Sequence, residues 1–149
     1  MAPENSHKKI SAVLFLCAMN AIRSPMAEAL TRHYFAKSLY VKSAGIRKGN
    51  FDPFTANVLE EVGILIGDYQ SQTVEELADW EGLNFDLIVT LSPEAHHQAI
   101  ELTRTLAVDI EYWPTPDPSE NQGSRDQKLE AYREVRDRLS DRILERFRE

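Results

Sequence analysis

The sequence predicts a single open α/β domain in three layers, a central four-stranded parallel sheet with helices on both faces. Apolar segments recur along the chain as strand, helix, strand, helix, the order that builds a parallel sheet covered by its crossover helices. The third strand segment, Phe85 to Leu91, is apolar almost without interruption, which marks burial on both faces. Of the 149 residues 42% are apolar and 28% charged, with no internal repeat, linker or low-complexity segment. Those proportions suit one domain, residues 1–149, that buries roughly 70% of the surface its unfolded chain exposes.

Each element has its own signal. Residues 1–9 are polar and are expected to form a flexible leader; Ser11 to Cys17 then reads as a buried first strand. Ser24-Pro25 opens a helix with a capping hydroxyl and a proline at the first helical position, and Met26, Ala29, Leu30 and Tyr34 fall on its inner face. Leu39 to Ser43 is the second strand, closed by Ala44-Gly45. Asp52-Pro53 starts a helix that Gly63 ends, with Phe54, Val58, Leu59 and Val62 turned inward. Thr73-Val-Glu-Glu76 has capping-box spacing and predicts a short helix. After Phe85–Leu91, Ser92-Pro93 caps a helix to about Leu106, Val108 to Trp113 is the last strand, and Pro114 to Ser119 is a stiff loop. From Arg125 a long amphipathic helix carries Leu129, Tyr132, Val135, Leu139, Ile143 and Phe147 on one stripe, with a solvated charged face that includes Glu134 and Arg138.

Composition excludes several function classes. A net charge of -7 repels polyanions, so neither nucleic acid nor an anionic membrane surface is an expected partner, and phosphate chemistry has to come from a local site. No apolar run reaches the roughly 20 residues that span a bilayer. The one cysteine excludes an intrachain disulfide framework and favours a reducing, cytoplasmic setting, Lys8-Lys9 and the apolar run after them reading as a leader and first strand rather than a signal peptide. Adjacent His96 and His97 lack metal-ligand spacing and are expected on a solvated helix face, so no metal and no cofactor is expected. Tyr34, Phe35, Tyr112 and Trp113 are expected in the core.

Chemistry concentrates in Cys17-Ala-Met-Asn-Ala-Ile-Arg23-Ser24, where the first strand turns into the first helix. The carboxyl end of a parallel strand followed by a helix N-terminus presents unpaired N–H groups, a ready cradle for an anion. The amides of Ala18, Met19, Asn20, Ala21 and Ile22 would line that cradle, and the planar fork of Arg23 can hold two phosphate oxygens. Cys17 at its base would feel the helix dipole, the arginine and the amides, all of which favour a nucleophilic thiolate over a buried structural thiol. The Ser24 hydroxyl can cap the helix and also bond the thiolate, and Asn20 can adopt the left-handed conformation a tight anion loop needs.

These residues resemble the low-molecular-weight protein tyrosine phosphatases and the arsenate reductases built on the same fold. The resemblance runs from about Ser11 to Phe147 and rests on Val13-Leu-Phe-Leu-Cys17, Asn20, Arg23-Ser-Pro-Met-Ala-Glu28, Ser43-Ala-Gly45, Phe85-Asp-Leu-Ile88 and Asp117-Pro118. It implies a cysteine-dependent phosphomonoesterase acting on a phosphomonoester or phosphoprotein through a phosphocysteine, inhibited by phosphate or vanadate. Cys17 would be the nucleophile, Arg23 the clamp, and Asp117 the general acid, fixed by Pro114, Pro116 and Pro118 in the loop after the last strand.

Four positions depart from the family pattern. Met19 stands where glycine is common, Ile22 where many members have a second cysteine, and Phe51 is the one aromatic offered by the segment between Gly45 and Asp52. Ser119-Glu120 stands where many members carry tyrosines, which predicts weak preference for aryl phosphates. Trp113 to Pro118 and the helix around Leu129 to Arg138 look more like the arsenate reductase branch, which gives a second reading. With Cys17 as the single thiol, a reductase would recruit an external thiol such as glutathione or mycothiol. A third reading is a phosphate or phosphopeptide binding module with little turnover.

Overall fold

A computed structural model describes residues 9–148, so the leader predicted over residues 1–9 lies outside the described residues except for Lys9. The order is β1 (Ala12–Cys17), α1 (Arg23–Phe35), β2 (Tyr40–Gly45), α2 (Pro53–Glu60), α3 (Val74–Glu81), β3 (Leu87–Thr90), α4 (Pro93–Leu102), β4 (Asp109–Tyr112) and α5 (Arg125–Phe147). Short 3₁₀ turns cover Thr103–Thr105 and Pro118–Glu120. The strands form one parallel sheet in the order β2-β1-β3-β4. In that register Cys17 lies beside Gly45, Leu16 beside Thr90, and Thr90 beside Tyr112, so all four strands end along one edge.

Alternation along the strands makes the three layers. Val13, Phe15, Leu87 and Val89 face one way, against Met26 and Leu30 of α1, Val58 and Leu59 of α2, and Leu129, Val135, Leu139 and Ile143 of α5. Leu14, Leu16 and Ile88 face the other way, against Val74 and Leu77 of α3 and Ala95 and Ala99 of α4. All four residues of β3 are buried, as its unbroken apolar run requires. The caps read from the sequence are made by Asp52 on Phe54 N–H, Thr73 with Glu76, and Ser92 on Ala95 N–H.

Several side chains depart from their expected places, among them Tyr112, which is half-buried on the edge strand β4 instead of in the core. Val62 lies past the end of α2, in a turn that reverses at Gly63 (φ 84°), and is exposed. Tyr34 sits at the margin of the inner face of α1, where its hydroxyl meets Ser140 at 2.6 Å instead of entering the core. The charged face of α5 is not wholly solvated: Arg136 is buried, donating to the Val58 carbonyl and to Glu61. His96 is half-buried, stacked on Tyr112 with ring centres 4.6 Å apart and with Nδ1 2.9 Å from the Thr90 hydroxyl.

Candidate active site

The turn from β1 into α1 is held open by its carbonyls. Ile46, Arg47, Gly49 and Asp52 donate their N–H groups to the carbonyls of Cys17, Ala18, Met19 and Ala21, and the Ser71 hydroxyl donates to that of Asn20. With the carbonyls drawn outward, the amides turn inward. Among the described residues those of Ala18, Met19, Ala21, Ile22 and Arg23 donate to no protein acceptor, while Asn20 N–H points at Cys17 Sγ from 3.3 Å. Asn20 takes the left-handed conformation (φ 53°) that this reversal needs. Gly45 stands directly behind the loop: a methyl group there would lie 2.7 Å from Asn20 N and from the carbonyl carbon of Met19.

Asn20 is fully buried, and every polar atom of its side chain has a partner. Its Oδ1 accepts from Gln72 N–H at 2.9 Å and from the Tyr69 hydroxyl at 3.0 Å, which fixes the amide orientation because a backbone N–H can only donate. Its Nδ2 therefore donates to Ser24 Oγ at 2.8 Å and to Ser43 Oγ at 3.1 Å. Ser24 has one hydrogen of its own, and Cys17 Sγ at 2.8 Å is closer than the Ala44 carbonyl at 3.4 Å. Either the hydroxyl or the thiol can supply the hydrogen between Ser24 Oγ and Cys17 Sγ, so the pair is hydrogen-bonded in either protonation state of the sulfur. Ser24 is not the helix cap: α1 begins at Arg23, and no side chain caps it.

Behind Asn20, Ser43 donates to Glu28 Oε1 at 2.5 Å, and the other oxygen of Glu28 meets Arg32 at 2.7 Å. Burial, and then the charge of Glu28, push the Tyr69 phenol well above its ordinary range, so it stays a donor. Phe51 packs on the Tyr69 ring at 5.1 Å between ring centres, while Met19 is half-exposed over Gly49. Tyr69, Gln72 and Ser71 were not legible as site residues, since nothing in the local sequence there predicts contact with a loop some 50 residues earlier.

The Asp117 side is tied to this cradle through Arg23, whose Nη1 donates to the Thr115 carbonyl at 3.0 Å. Asp117 is half-buried, and its Oδ1 accepts from the N–H of Ser119 at 2.9 Å and from its hydroxyl at 2.6 Å. Tyr132 of α5 donates to Asp52 Oδ2 at 2.7 Å; burial first, then that hydrogen bond and the charges of Asp52 and Asp117, raise its phenol. Among the described residues no three His, Cys, Asp or Glu side chains are grouped to hold a metal ion, and no helix is long and apolar enough to cross a membrane.

Residues 12–148 match the family described as low molecular weight phosphotyrosine protein phosphatase. The chain belongs to that family. Within it the chain is 34% identical over 138 residues to an arsenate reductase of Shouchella clausii, covering 91% of this chain and 93% of that one. An arsenate reductase solved in a phosphate binding state is similar in structure, with TM-score 0.68 at 27% identity over 91% of this chain and 95% of that one. The tyrosine phosphatase amsI of Erwinia amylovora shares the fold, with TM-score 0.73 at 17% identity over 93% and 91% of the two chains. Proteins of this fold thus carry more than one named activity, so the fold by itself does not give the reaction.

Proposed function

We propose that this chain is a phosphomonoesterase that works by double displacement at Cys17. The observation that carries the reading is the Sγ environment: the Asn20 N–H and the Ser24 hydroxyl both lie within hydrogen-bond distance of one sulfur, in a loop whose other amides donate to no protein acceptor among the described residues and whose Arg23 reaches the Thr115 carbonyl. Cys17 attacks phosphorus in line, while Arg23 and the amides of residues 18 to 23 hold the equatorial oxygens. As the ester P–O bond breaks, Asp117 gives its proton to the departing oxygen. The resulting carboxylate then takes a proton from water; the oxygen attacks phosphorus, and the S–P bond breaks to release phosphate and thiolate. Positive charge for the transition state comes from the guanidinium and the amides, so a metal ion is not required.

A second reading is favoured by the 34% identity to an arsenate reductase. Arsenate has the shape and charge of phosphate and would occupy the same cradle. Its reduction to arsenite oxidises two thiols, and this chain has one cysteine; the second thiol would come from solution.

Turnover of a nitrophenyl phosphate with chelator present and no added thiol is the expected result, lost in Cys17→Ser with the fold retained. Absence of that turnover, together with arsenate-dependent oxidation of added glutathione, would establish the second reading instead.

A further inference from the structure

We propose that Ser119 is a positioning residue for Asp117, selecting which carboxyl oxygen transfers the proton. The inference rests on the reading of Asp117 as the general acid. Both donors of Ser119, its N–H at 2.9 Å and its O–H at 2.6 Å, fall on the same oxygen, Oδ1. In a neutral carboxyl group the carbonyl oxygen is the better acceptor, and the other oxygen carries the proton. Two donors on Oδ1 make it the carbonyl oxygen. The transferable proton is thus on Oδ2, and Pro118 limits how far the loop between the two residues can turn.

The same contact changes strength during the reaction. When Oδ2 gives its proton to the departing oxygen, Asp117 becomes a carboxylate, and the Ser119 O–H···Oδ1 bond becomes charge-assisted and stronger. Ser119 therefore stabilises the product of the acid step. The contact is made to the oxygen that does not transfer the proton, so its loss bears first on formation of the phosphocysteine, where the departing oxygen needs the aligned Oδ2–H.

The test is pre-steady-state kinetics of Ser119→Ala and Ser119→Thr. With phenyl phosphate, whose leaving group needs the proton, Ser119→Ala should slow Cys17 phosphorylation about tenfold, and with a nitrophenyl phosphate clearly less. Hydrolysis of the phosphocysteine, followed after a burst of nitrophenol, should change clearly less. Ser119→Thr, which keeps a hydroxyl, should restore the phenyl phosphate rate. The proposal is overturned if the alanine variant matches wild type in both steps, slows both alike, or is not rescued by threonine. Failure of the underlying reading looks different: a wild-type enzyme with no burst, or an Asp117→Asn variant with no leaving-group dependence.

Discussion

On the Cys17 side of the active-site mouth, the loop is bound from behind at every carbonyl from Cys17 to Ala21, and its central Asn20 is fully buried among Ser24, Ser43, Tyr69 and Gln72. On the Asp117 side, a half-buried carboxylate hangs on two donors from one exposed neighbour and on the stiffness of three prolines. In the proposed reaction the contrast follows from what each side would do. An anion cradle works by preorganised dipoles that do not relax when charge develops, and burial in a satisfied network supplies that rigidity. A proton donor has to meet leaving groups of different shape and to admit water afterwards, so a position at the rim serves it better.

Substitutions on the two sides should therefore fail differently. The largest effect is expected at Gly45, where an added methyl meets backbone of Asn20, Met19 and Arg47 at 2.7 Å and no flexible side chain can give way. Gly45→Ala should cost roughly 1–3 kcal/mol in stability by denaturant melts and displace the amides enough to lower kcat/KM more than about 10²-fold for every substrate. Next come Arg23 and Asp117, a direct comparison of the sides. Arg23→Lys keeps charge but loses the fork and should cost on the order of 10²-fold whatever the leaving group. Asp117→Asn should cost roughly as much for phenyl phosphate and clearly less for nitrophenyl phosphate. Equal losses for both substrates in the asparagine variant would move the acid elsewhere.

A smaller effect is expected at Tyr69. Tyr69→Phe leaves Asn20 Oδ1 with one donor, Gln72 N–H, and leaves Ser43 without its phenol neighbour. A loss of about 1–2 kcal/mol in stability and roughly tenfold in kcat should follow, alike for good and poor leaving groups. A change confined to poor leaving groups would mean that the network reaches the acid and that the two sides are not independent.

The parts of this design that were legible in the sequence are those whose signals are local. Alternating elements, the caps at Asp52, Thr73 and Ser92, the apolar third strand and the C-x5-R segment each state their structure within a few residues. Ser24 was ambiguous for a physical reason: a hydroxyl before proline can cap a helix or turn to a nearby thiol, and only the start of α1 at Arg23 settles which. Tyr69 and Gln72 were illegible as parts of the site because they reach Asn20 across 49 and 52 residues of chain, while Ser43 stood out only within the Ser43-Ala-Gly45 segment of the resemblance, without a role. Arg136 was misplaced on the solvated face because helical spacing alone does not show that the free carbonyl of Val58 and the carboxylate of Glu61 lie opposite it.

The smallest predicted effect concerns the clamp that joins the two sides. Helix α5 packs against the Pro118–Glu120 turn, donates from Tyr132 to Asp52, and holds the end of α2 through Arg133 and Arg136 on Glu61. The hydrogen bond from Arg133, followed by that from Arg136, lowers the Glu61 carboxyl below its ordinary value of 4.5, against a raising effect of burial. A carboxyl depressed in the folded state contributes stability that is present above its unfolded pKa and lost as pH falls through the folded one. Wild-type stability should thus decline below about pH 4.5 partly through this group. Glu61→Gln should lower Tm at neutral pH by only a few degrees, because Glu61 and Arg133 are each about a third exposed and buried Arg136 keeps Asp137 as a charged partner, and should flatten the acid-side decline. Activity on both classes of leaving group should stay close to wild type. If it falls for poor leaving groups alone, the clamp sets the position of the Asp117 loop as well as that of α2, and the Asp117 side is more tightly held than its exposure suggests.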